Sequence, residues 1–94
     1  VIIDNEASRY FTVIEVNGRD RPGFLNKVAY TMTRLGLQIA SSHIATYGER
    51  AVDVFYVKDV FGLKVEHAGK MGRIEAELVE AVRESNALIT AEAV

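Results

Sequence analysis

A chain of 94 residues has room for one compact domain, and with 49% apolar and 26% charged residues it has the balance of a folded globular protein, not of a disordered or membrane-embedded one. Its net charge is −2, and its eleven Lys and Arg are scattered from Arg9 to Arg83, so the expectation is no nucleic acid and no membrane as partner. The absence of cysteine excludes disulfides and thiolate metal sites, and no apolar run approaches the roughly 18 residues of a membrane span, which together suit a cytoplasmic location.

Val1 to Asp4 is β-prone, Asn5 to Ser8 has turn composition, and Tyr10 to Val16 is rich in β-branched and aromatic residues, so the chain opens as a strand pair. Asn17 to Gly23 reads as a loop that feeds a helix, with Asp20 or Arg21 expected near its N-cap. Phe24, Leu25, Val28, Ala29, Met32 and Leu35 recur at steps of three and four, the stripe of an amphipathic helix, and Gly36 supplies its stop. Leu37 to Tyr47 and Arg50 to Val60 are extended segments joined at Gly48-Glu49, a hairpin. Phe61 to Gly69 has no clear period. Met71, Ile74, Leu78, Ala81 and Val82 then give a second helical stripe to about Ser85, while Asn86 to Val94 fits either further helix or an edge strand.

This order predicts an α+β, ferredoxin-like domain: one antiparallel sheet with two helices on one face, its edge strand supplied from the N-terminus beside Tyr10 to Val16. Both alternating faces of Tyr10 to Val16 and Ala51 to Val57 are apolar, yet the helices can cover only one. An uncovered set such as Phe11, Val13, Phe55 and Val57, or the opposite set, predicts a homodimer through the sheet or a neighbouring domain docked on it.

The candidate site is the loop and helix start from Asn17 to Phe24. Backbone N–H groups at a helix N-terminus attract a carboxylate or phosphate, and Gly23 leaves the backbone approachable. The same residues equally suit a plain strand-to-helix turn. His43 lies in an apolar strand and His67 in a polar loop, with no metal-ligand spacing between them, and Glu75, Glu77, Glu80 and Glu84 fit a solvated helix face.

The run Arg19-Asp20-Arg21-Pro22-Gly23-Phe24-Leu25 resembles the Asp-Arg-Pro-Gly-hydrophobic-Leu signature of ACT domains. The longer run His43 to Val57, with Ile3 to Ser8 and Phe11 to Val16, is similar to the C-terminal ACT domain of bacterial bifunctional uridylyltransferase/uridylyl-removing enzymes. The resemblance implies a single ACT regulatory domain over 1–94, core 1–85, cut from such an enzyme and without catalysis of its own. It implies L-glutamine as effector, a second ACT domain in tandem, the PII signalling protein as the parent's partner, and Mg and UTP as the parent's requirements. Position by position, Asn17, Asp20, Pro22, Gly23, Phe24 and Leu25 match the ligand-facing loop and helix start. Ile39, Ala40, Ser41 and Ser42 match positions that complete the pocket across a dimer interface. Phe24 departs from the more usual Leu, and its ring is expected to narrow the pocket mouth or alter what the pocket accepts.

Other functions of the same architecture fit poorly. An acylphosphatase-like hydrolase wants a glycine-rich loop ending in arginine where Phe24-Leu25-Asn26 stands, and a metal chaperone wants a Cys-x-x-Cys. The serious alternative is an interaction domain that binds no ligand and holds the parent together.

Overall fold

The computed structural model describes residues 1–19 and 23–93, with side chains through Ser85 in the last helix. In chain order the elements are β1 (Ile2–Asp4), β2 (Thr12–Arg19), α1 (Phe24–Arg34), β3 (Gln38–Tyr47), β4 (Arg50–Lys58) and α2 (Ala68–Ala93). The four strands form one antiparallel sheet in the order β1-β2-β4-β3. The N-terminal strand takes the edge beside β2, pairing Ile3 with Ile14, as expected.

Alternation decides the layers. In β2 and β4 the residues Thr12, Ile14, Val16, Ala51, Asp53, Phe55 and Val57 are buried, and between them stand half-buried or exposed ones. Ile14, Val16, Phe55 and Val57 meet Phe24, Val28 and Met32 of α1 and Ile74 and Leu78 of α2 in one core. Burying each such side chain contributes about 1.5–3 kcal/mol, so this helix-covered face carries the fold. Two ion pairs tie the helices together on the outside, Lys27 to Glu84 at 2.6 Å and Arg34 to Glu77 at 2.8 Å. The hydrogen bond and charge of Lys27 hold the Glu84 carboxyl below its ordinary range. What that exposed pair adds is present above the carboxylate range and is lost as the pH falls through it.

The second face of the sheet is open and carries Val13, Val52, Val54 and Tyr56, all half-buried. The expected apolar set is corrected here. Val13 lies opposite Tyr56 and Ile14 opposite Phe55, so Phe55 and Val57 turn toward the helices while Val13 turns away. Alternation within each strand was legible, but the cross-strand register that phases one strand against the next was not. On the open face Tyr56 meets Phe11 edge-on at 6.2 Å and His43 at 5.7 Å, and Lys58 Nζ lies 4.8 Å from the Phe11 ring.

Other boundaries also move. The first core strand begins at Thr12, because the Ser8 hydroxyl accepts the N–H groups of Tyr10 and Phe11 in a turn. It runs on to Arg19, because Asn17, Gly18 and Arg19 pair with Val52, Ala51 and Arg50, and the ladder overrides local turn propensity. The helix N-cap is Gly23, at φ 88°; Asp20 and Arg21, expected near it, and Pro22 lie outside the described residues. At its other end, Leu37 N–H reaches Met32 O and Gly36 takes φ 82°, the expected glycine stop. The second helix starts before Met71 and continues through the tail to Ala93.

The N-terminal turn is fastened by a polar network. The Thr12 hydroxyl donates to Asn5 Oδ1 at 2.7 Å and accepts Val65 N–H at 2.8 Å. Asn5 Nδ2 donates to Val65 O, and Lys64 Nζ donates to the carbonyls of Asn5 and Ser8.

Candidate functional site

At the end of the sheet where β2 delivers the chain to α1, a cleft of about 300 Å³ opens between the first turn of α1 and strands β3 and β4. Gly23, Phe24, Leu25 and Asn26 form the helix side, and Ala51, Asp53 and Ile44 form the sheet side. Ile44 pairs with Asp53 and Ala51 with Gly18, so these residues lie in adjoining rows on the helix-facing surface. The first N–H groups of α1 have no intrahelical partner, Gly23 at the N-cap has no side chain to offer them, and the first turn holds no acidic residue. The helix dipole adds partial positive charge at the same place. Asp53, 1% exposed, puts a carboxylate on the opposite wall. The cleft thus has an amide-rich wall suited to an anion, and apolar surface from Phe24, Leu25 and Ile44.

Gly23 adopts left-handed backbone that side chains disfavour, and a Cβ there would meet nothing within 4 Å. Its glycine is required by backbone angle, and the space it leaves is open approach to the helix start. Phe24 does not take the first of the two expected roles, that of narrowing the mouth. It is only 3% exposed and does not stand at the mouth. Its ring turns inward over Gly18, where an added Cβ would lie 2.5 Å from Cζ.

Gly23, Phe24 and Leu25 are therefore brought together at the cleft, while Asp20 and Pro22 lie outside the described residues. Asn17 is on the open face, where its amide donates to Glu15 Oε2 at 3.4 Å. Ile39 packs against the core, the ladder shifts register at Ala40, and Ser41 and Ser42 are exposed along edge strand β3. None of these four lines the cleft of a single chain; Ile44 is the contribution of their strand.

Asn26, Ile44, Ala51 and Asp53 were missed. A usable signal existed for Asp53, a charged residue in phase with Ala51, Phe55 and Val57. His43 is exposed on the open face, and His67 caps α2 by accepting Lys70 N–H on Nδ1 at 3.2 Å. A larger hollow of about 480 Å³ runs between the helices, but there Lys27, Arg34, Glu77 and Glu84 already satisfy one another. Among the described residues no group of three or more His, Asp or Glu is placed to hold a metal ion, and no helix is long and apolar enough to cross a membrane.

A ferredoxin-like sheet with a cleft at the start of its first helix suits a small regulatory module of the ACT type. The family model of the ACR family N-terminal ACT domain matches residues 7–85, and the chain belongs to that family. Over 87 residues it is 58% identical to a bifunctional uridylyltransferase/uridylyl-removing enzyme of Azospirillum brasilense, covering 93% of this chain and 9% of that protein. A protein of the same description from Rhodospirillum rubrum is 53% identical over 85 residues, 90% of this chain and 9% of the relative. The chain thus spans about 9% of the length of these relatives. Among solved structures, a candidate glycine cleavage system transcriptional repressor superposes with a TM-score of 0.59 at 26% identity, over 77% of this chain and 38% of that one.

Proposed function

We propose that this chain is the amino-acid-sensing module of a uridylyltransferase/uridylyl-removing enzyme. In this reading L-glutamine is the effector, and its binding sets the balance between uridylylation and deuridylylation of the PII protein by the parent. The observation that supports it best is the cleft at the start of α1, with backbone amides on one wall and apolar residues beside them. An amino acid suits that wall, its carboxylate toward the amides of Leu25 and Asn26. The parent's requirement for Mg and UTP, and its cytoplasmic location, belong to the same reading, as do the activities that the names of the relatives supply.

Edge strand β3 offers free backbone groups along one side, and pairing with a second ACT domain, in tandem or in a homodimer, would bring Ile39, Ala40, Ser41 and Ser42 toward a shared pocket. The half-buried open face of Val13, Val52, Val54 and Tyr56 favours a second reading, a pure interaction domain that binds no ligand.

Calorimetric titration with L-glutamine separates the two, with L-glutamate and a neutral amino acid as controls and the oligomeric state measured first. Selective heat is expected. Gly23→Val is expected to abolish it, because the new side chain projects into the open approach and strains φ by about 1–2 kcal/mol while leaving the core intact. A folded chain that takes up no amino acid supports the scaffold reading, and glutamine binding unchanged in Gly23→Val removes the helix start from the site.

A further inference from the structure

Gly18 and Ala51 form a row of two small residues across β2 and β4 on the helix-facing surface. Small residues there leave a hollow beneath the start of α1, and the ring of Phe24 fills it, so close to Gly18 that no Cβ fits between them. Phe24 and Ala51 also line the cleft. Phe24 therefore belongs both to the core and to the cleft lining, beside Ala51 at its inner end, whereas Ile44, 52% exposed, leaves the β3 side open.

We propose that Phe24 is the residue that sets the size of side chain this cleft admits, closing its inner end against amino acids with large side chains. The inference rests on the reading that the cleft takes an amino acid. A ring seated in this way does not yield to a larger ligand. Swinging it out would expose buried apolar surface and empty the hollow over Gly18, and both changes oppose the motion. With the ring in place, the accepted side chain is short or slender and extends toward Ile44. With the ring shortened, the hollow over Gly18 and Ala51 joins the cleft and a bulky side chain can occupy it.

The test is calorimetric titration of this chain and its Phe24→Leu and Phe24→Ala variants with L-glutamine, L-methionine and L-phenylalanine. Each variant is first checked for a cooperative melt, and Phe24→Leu, which keeps an apolar side chain in the core, decides the matter if Phe24→Ala does not fold. The expected result is that the ratio of affinities shifts toward L-phenylalanine by about tenfold or more, the scale on which pocket volume discriminates between ligands. Adding Gly18→Ala to Phe24→Leu puts a methyl group back into the hollow and is expected to recover part of the discrimination. Glutamine binding with unchanged ratios in both variants overturns the role of Phe24 and leaves the cleft assignment standing. Absence of binding by the unsubstituted chain and by every variant overturns the cleft assignment itself, and the inference with it.

Discussion

Phe55→Ala is expected to lower the stability of the chain by about 3–5 kcal/mol, the range for truncating a buried aromatic ring. Phe55 sits near the middle of β4, between β2 and β3, and is 1% exposed. It heads the side chains with the least exposure in volume, and its strand neighbours Ile14 and Ser42 leave no second large residue able to move in from β3. A domain of this size is stable by about 5–15 kcal/mol in all, so the variant should lie near the edge of folding. Urea unfolding followed by circular dichroism reads the change, and Val54→Ala is the comparison. Val54 is the next residue along the strand but faces the open side, and its truncation should cost less than about 1.5 kcal/mol. Equal losses for the two variants would mean that the open face is covered as completely as the helix face.

The second expectation concerns a glycine whose role is spatial. Gly18→Ala should destabilise the chain by about 1–3 kcal/mol, the cost of overpacking a filled site. Gly18 lies in a regular strand with ordinary backbone, so the alanine suits the local conformation; what it meets is the Phe24 ring. Phe24→Leu should therefore offset much of the loss when the two substitutions are combined. Because the residues touch, their effects should be non-additive by about 0.5–3 kcal/mol in a double-mutant cycle read by the same urea titration. Additive losses would show that Phe24 moves aside without cost.

Much of this architecture was legible because it depends on local period. The stripe from Phe24 to Leu35 reported a buried face directly, the alternation in Tyr10 to Val16 and Arg50 to Val60 marked strands without telling which face the helices cover, and the N-terminal edge strand followed from element order. What escaped was set by contacts between elements. Asn17 to Arg19 has loop composition and becomes strand because β4 continues opposite it. The segment after Val60 has no period because Asp59 organises it: its carboxylate accepts the N–H groups of Phe61 and Leu63. For the cleft, the motif located Gly23, Phe24 and Leu25, since those residues are contiguous. Ile44, Ala51 and Asp53 reach it only through strand register, which no local pattern encodes. The inward turn of Phe24 depended on a glycine on another strand, and no spacing rule links the two.

The N-terminal strand has a practical consequence for where this module may be cut. The family match begins at residue 7, but β1 ends at Asp4 and the amide of Asn5 is bonded to Val65 O. A fragment trimmed to the family boundary would lose Ile3 from the core and strip the pairing partner from β2. It would also leave Thr12 and Lys64 without the groups they bond at Asn5. Such a fragment would have raw hydrogen-bonding edges on both sides of its sheet, at β2 and at β3. Chains with two bare edges associate strand to strand without a natural stopping point. Clumping of a trimmed fragment would thus report the missing first six residues, and would say nothing of how the intact module assembles.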